Sequence, residues 1–138
     1  MTGPDFLDTN VVVYAFDTSN PDKQKVSRAL LKSGIAGRAV ISTQVLAEFA
    51  SALLHKISPR ASADAVMRGL DALAAIRTII PDRDLIRRAV ESHAAYGIHF
   101  YDGMIVAAAE RGGCGCIWSE DLNAGREYFG VTVKNPFR

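Results

Sequence analysis

Four carboxylates stand where apolar chain gives way to short polar insertions. Asp8 interrupts "FLDTNVVVYAFD", residues 6–17, between Phe6-Leu7 and Val11-Val12-Val13. Glu48 lies in "STQVLAEF", Asp102 in "YDGMIVAAA" and Asp121 in "WSEDL". Singly, each has an ordinary explanation. Asp8 and Asp102 suit helix N-termini, where a carboxylate caps the backbone or meets the macrodipole. Glu48 suits a solvated helix face, and Asp121 a turn. Together they suggest other chemistry, because clustered carboxylates repel and raise one another's pKa unless a cation offsets them. Oxygen-only donors select a hard ion, Mg²⁺ or Mn²⁺, over zinc. Such an ion retains waters, and one of these can become the nucleophile against a phosphodiester.

The remaining reactive residue types do not join this set. Cys114 and Cys116 form a lone C-x-C in "GGCGCIWS". A structural zinc site needs about four Cys or His ligands, and a disulfide at this spacing in a strand would be badly strained. They read as two small thiols in a buried strand, which fits a cytoplasmic protein. His55, His93 and His99 fall in separate helical or loop contexts and read as structural or surface residues. Glu120 adjoins Asp121, but adjacency alone makes no ligand; it is expected to be exposed or to stand behind the ligands.

These residues must be positioned by a fold. With 138 residues, the chain favours a single domain over 1–138 that can bury a proper core. Its 49% hydrophobic and 22% charged content excludes disorder, and a net charge of +1 gives no overall basic field. No N-terminal stretch has the form of a signal peptide. The longest apolar run, "MIVAAA" at 104–109, is too short to span a bilayer, so no membrane is expected.

Short β-like runs alternate with helical periods. "DFL" precedes a helix near 10–16, and "DKQKVSRALLKSG" reads as a helix ended by Gly34. "RAVIS" reads as a strand, followed by a helix with Val45, Phe49, Ala52 and Leu53 on one face. Ser58-Pro59 then breaks a helical hairpin whose second arm is "ASADAVMRGLDALAAI". "RTII", "CGCIW" and "VTV" read as strands, the last at an edge, with helices over "RDLIRRAVESHAAYG" and "DGMIVAAAERGG" between the first two. This alternation predicts an α/β layered fold with a mostly parallel sheet, whose sites gather beyond the carboxyl ends of the strands. Asp8 and Asp121 follow strands, Glu48 lies early in a helix leaving one, and Asp102 opens a helix leading back into one. All four therefore belong at the same sheet edge.

The four quoted segments resemble, in order and at suitable separations over essentially the whole chain, the acidic motifs of PIN-domain ribonucleases, above all VapC toxins of bacterial toxin–antitoxin pairs. The resemblance implies a PIN-like three-layer sandwich, its sheet in strand order 3-2-1-4-5 between helical layers. It also implies a Mg²⁺- or Mn²⁺-dependent endoribonuclease, homodimeric and silenced by a cognate antitoxin. Asp8, Glu48, Asp102 and Asp121 match the family's catalytic, metal-binding quartet. Asn10 and Ser119 match its supporting polar positions, expected to orient the ligands. Arg126, or the basic residues within 23–32, could grip the RNA backbone, or could form a solvated face.

Other classes fit less well. A receiver-like phospho-acceptor would want adjacent acids near the first strand and a lysine after a late one, and neither is evident. A non-catalytic PIN-like scaffold would not need the intact acidic quartet. A housekeeping RNA-processing PIN nuclease shares the fold and the chemistry and stays open. The hairpin residues Leu53, Leu54, Ile57, Val66, Met67 and Leu70 are expected to leave an apolar groove for the antitoxin.

Overall fold

The computed structural model describes residues 3–138. The strands are β1 Asp5–Leu7, β2 Ala39–Ser42, β3 Arg77–Ile79, β4 Cys116–Trp118, β5 Glu127–Tyr128 and β6 Val131–Lys134. The helices are α1 Thr9–Tyr14, α2 Pro21–Ser33, α3 Thr43–His55, α4 Ala63–Leu73, α5 Arg83–Tyr96 and α6 Phe100–Arg111. Phe6, Leu7, Val40, Ile41 and Ile117 are all 0–1% exposed. That is the mark of central parallel strands covered on both faces, which read as unbroken apolar runs rather than as alternation.

The sheet runs β3-β2-β1-β4-β6-β5. Its first five members are parallel to their neighbours, and β5 lies antiparallel on β6. The expected order, 3-2-1-4-5, is thus found for the five anticipated strands, with "VTV" in the fifth place. A sixth strand was not anticipated, and it takes the edge position assigned to "VTV". Tyr128 pairs with Val131 across a two-residue turn, Phe129-Gly130, in which both residues have positive φ. Such hairpin turns ordinarily announce themselves as Asn-Gly or Asp-Gly. Here a phenylalanine takes the left-handed position, held by its N–H donating to the Tyr96 hydroxyl (2.9 Å) and by the Arg88 guanidinium 3.6 Å above its ring.

Two other boundaries differ from expectation. Gly34 does not end its helix: the chain continues through a wide turn, Gly34–Arg38, and the left-handed residue that releases it is Gly37 at φ 92°. The last long helix begins two residues before Asp102, because His99 caps it by accepting the Tyr101 N–H at 3.1 Å. The α3–α4 hairpin forms as expected, yet Leu53 and Val66 are core residues and Leu54, Ile57 and Leu70 pack against that core. Of the six residues expected to leave an apolar groove, Met67 alone is exposed, at 53%. Cys116 lies in β4 and Cys114 just before it; both are free, and burial pushes their thiols up to about 11 and about 12.

Candidate metal-binding active site

The parallel strands deliver their carboxyl ends to one edge, and a cleft of about 630 Å³ opens there. Asp8, Glu48, Asp102 and Asp121 all line it. The four segments predicted to converge do so.

Asp8 extends β1 by one backbone bond, its N–H donating to the Trp118 carbonyl at 3.0 Å. One carboxylate oxygen accepts the Thr9 N–H (2.7 Å) and caps α1; the other accepts the Ser119 hydroxyl (2.7 Å). The residue thus serves both readings of its sequence context, as helix cap and as cleft wall. It is only 7% exposed. Burial pushes its carboxyl up to about 6, with the Asp121 and Glu48 charges adding to the rise and the Ser119 and Thr9 bonds opposing it.

Glu48 projects from the second turn of α3 and is exposed. The Thr9 hydroxyl donates to one of its oxygens at 2.6 Å, and Gln44, one turn earlier on α3, donates to the other at 3.4 Å. Gln44 also donates to the Tyr101 carbonyl (3.1 Å), tying α3 to the start of α6. Asp102 sits in the first turn of α6, half-buried. Burial raises its carboxyl, as do Asp121 and Glu48, while His99 works against the rise. Asp121 occupies the turn after β4, where Asn10 Nδ2 donates to it at 3.0 Å.

Asn10 and Ser119 both hydrogen-bond to the acids. Ser119 is fully buried; besides donating to Asp8, its oxygen accepts the N–H groups of Asp121 (3.1 Å) and Leu122 (3.2 Å). Asn10 donates to Asp121, lies 3.5 Å from both Asp8 and Ser119, and accepts the Glu120 N–H at 3.1 Å. Glu120 itself is half-buried and turned aside, bound by the Tyr14 hydroxyl (2.8 Å) and paired with Lys23. Burial acts to raise its carboxyl, but these two partners outweigh it and hold the group below the ordinary glutamate range. Arg126 is not brought to the cleft; its guanidinium lies 5.5 Å from the Tyr128 ring centroid. The basic residue that does line the cleft is Lys56.

Sequence reasoning missed Thr9, Gln44 and Tyr14. It took Lys23, among the basic residues within 23–32, only as a grip on RNA or part of a solvated face rather than as the partner of Glu120. Gln44 carried a signal, since a residue four before Glu48 on a helix lies beside it. Thr9 was legible only as a helix start, and the Tyr14–Lys23–Glu120 contact joins segments that no local pattern links.

The donor set is oxygen-only, contains no lysine or arginine, and has a nearly buried member whose charge is disfavoured. This is the chemistry of a site for a hard cation. Among the described residues, no three His, Cys, Asp or Glu side chains are arranged to hold an ion as they stand. Two of the four acids, Glu48 and Asp121, are on exposed side chains.

A PIN-domain family model matches residues 6–127. Among solved structures, FitAcB from Neisseria gonorrhoeae superposes with a TM-score of 0.68 at 21% identity, over 96% of this chain and 98% of that one. VapC20 from Mycobacterium tuberculosis, a sarcin–ricin loop-cleaving toxin, gives 0.68 at 16% identity over 93% and 98%. A toxin–antitoxin complex from Klebsiella pneumoniae gives 0.68 at 16% over 96% and 97%. At these identities the likeness is one of fold. No curated protein matches the chain in sequence.

Proposed function

The chain belongs to the PIN-domain family, and from that premise we propose that it is a Mg²⁺- or Mn²⁺-dependent endoribonuclease, the toxin of a VapBC-type pair. The observation that carries this reading is the convergence of Asp8, Glu48, Asp102 and Asp121, from four separate segments, on one cleft. These four residues would hold the cation, whose Lewis acidity toward the scissile phosphate offsets the charge that builds in the transition state.

The chain's own residues do the rest. Ser119 and the Thr9 N–H fix both oxygens of Asp8, so that ligand is set before any ion arrives. Asn10 aims Asp121, and Thr9 with Gln44 aims Glu48. Glu48 or Asp121, both on the solvent side, would help to deprotonate the attacking water. Lys56, at the cleft wall, takes the role of contacting the RNA backbone, for which Arg126 and the basic residues within 23–32 were candidates.

The family resemblance, together with a fold neighbour that is a toxin–antitoxin complex, supports a cognate antitoxin as partner; a homodimer as working unit and the cytoplasm as its place rest on the resemblance alone. Cleavage of labelled RNA with Mg²⁺, abolished by EDTA and by Asp8→Asn, tests the activity. Full cleavage by folded Asp8→Asn protein in excess Mg²⁺ would remove Asp8 from the site. A small neighbouring reading frame whose product binds this chain and stops cleavage tests the toxin assignment against a housekeeping nuclease.

A further inference from the structure

Glu120 is a fifth acid, immediately before Asp121 in the chain, yet it does not line the cleft. Its carboxylate is held on the far side of the turn by two residues from two helices. The Tyr14 hydroxyl of α1 donates to Oε1 at 2.8 Å, and Lys23 Nζ of α2 pairs with Oε2. Lys23 also donates to the Tyr14 oxygen (3.3 Å) and lies over two rings, 4.8 Å from the centroid of Tyr14 and 5.3 Å from that of Phe137. Phe137, in the C-terminal tail, packs edge-on against Tyr14 at 5.1 Å. The backbone of the turn is held as well. The Glu120 N–H goes to Asn10, and the Asp121 and Leu122 N–H groups go to Ser119.

Asp121 is held far less. Its carboxylate is exposed and bonded by Asn10 Nδ2. The two residues share one short turn, so anchoring the Glu120 side chain restricts the backbone dihedrals that carry Asp121. The clasp on Glu120 thereby adds to the bonds that hold the turn. We propose that Lys23 and Tyr14 are positioning residues for Asp121: their clasp on Glu120 fixes the turn that presents the fourth carboxylate. The consequence for cation binding rests on the metal-dependent reading above; the clasp itself does not.

Charge alone and positioning predict opposite signs. Lys23→Met removes a positive charge near an acidic cleft, so by its field alone it tightens binding of a divalent cation. If the clasp positions Asp121, the same substitution weakens that binding, by about three- to tenfold, the range of one net hydrogen bond or partly exposed charged contact. Two measurements on the full chain decide. One is Mn²⁺ titration by calorimetry, and the other is hydrogen exchange of the Asp121 and Leu122 amides in cation-free buffer.

The expected result is weaker Mn²⁺ binding and faster exchange at both amides in Lys23→Met, with Lys23→Arg close to wild type. Tyr14→Phe, which deletes one hydroxyl, should show both effects in smaller measure; it also serves if Lys23→Met loses its fold. Unchanged exchange, or, where wild type binds Mn²⁺, an affinity that stays the same or tightens in Lys23→Met, overturns the proposal. Faster exchange in Lys23→Met, in a protein whose wild type ignores Mn²⁺, would sink the metal-dependent reading and leave the clasp standing.

Discussion

Both carboxylate oxygens of Asp8 are hydrogen-bonded, and still burial and the neighbouring acids lift its carboxyl to about 6. Its partners therefore orient the group without fully compensating its desolvation. A carboxyl moved from the ordinary 3.8 to about 6 costs about 3 kcal/mol to ionise in the folded state. The sign follows from proton counting. Between those two values the folded chain binds more protons at Asp8 than the unfolded chain does, so stability falls as pH rises. The contribution is complete below the unfolded value and is lost as pH passes the folded one. In EDTA, the melting temperature of wild type should fall between about pH 4 and pH 7 relative to that of Asp8→Asn. The variant should be the more stable of the two at pH 7 while cleaving no RNA. Parallel melting curves across that window would show that Asp8 is not a raised carboxyl. Thr9 gives a second case of one residue with two duties, since it starts α1 and donates to Glu48 at 2.6 Å.

The placement of Asp102 depends on how closely α6 lies on α5. Gly103 follows it directly, and a Cβ there would meet the Ala89 carbonyl oxygen at 2.6 Å. Backbone cannot yield as a flexible side chain can, so Gly103→Ala must push the helices apart. Alanine's better helix propensity returns at most about 1 kcal/mol, against an overpacking cost of about 1–3 kcal/mol. Gly103→Ala should therefore melt lower than wild type and lose cleavage through displacement of Asp102. A variant as stable and as active as wild type would show that this contact is not tight. The strands that carry Asp8 and Asp121 were legible in the sequence because buried parallel strands are continuous apolar runs. The convergence of the four acids followed from where such strands and their connecting helices must end. What stayed hidden has a physical reason in each case. β5 was masked because a phenylalanine holds the turn position that Asn or Asp would have advertised. The true start of α6 was masked because its cap is His99, outside the preferred capping set. The surplus apolar surface assigned to the α3–α4 hairpin was overestimated because the hairpin's own burial of Leu53 and Val66 cannot be read from one sequence.

Four acids at one end of the sheet polarise a chain whose net charge is only +1. A divalent cation that binds the folded chain there should stabilise it by mass action, about 2.7 kcal/mol at a hundredfold excess over Kd. Mg²⁺ or Mn²⁺ should therefore raise the melting temperature, EDTA should reverse the rise, and Asp102→Asn combined with Asp121→Asn should abolish it. A thermal shift that survives the double substitution would locate the ion elsewhere. No helix among the described residues is long and apolar enough to cross a membrane. The cleft runs from the acids past Val13 and Ala52 to Ile57 and Ser58 at the end of the hairpin, and Met67 stands exposed on the hairpin's second arm. A peptide from the proposed antitoxin, laid along this path, could bury apolar side chains at Ile57 and extend a basic residue to the carboxylates. A guanidinium bound there would compete with the cation through charge-assisted bonds. Ile57→Ser and Met67→Glu probe this path at two points. The first leaves the charge of the cleft unchanged, and the second lies outside the cleft lining. Both should weaken binding of the antitoxin more than they slow cleavage of free RNA, with Ile57→Ser the stronger because its side chain lines the cleft itself. Folded variants that bind the antitoxin with wild-type affinity would mean that the partner approaches the acids from another side.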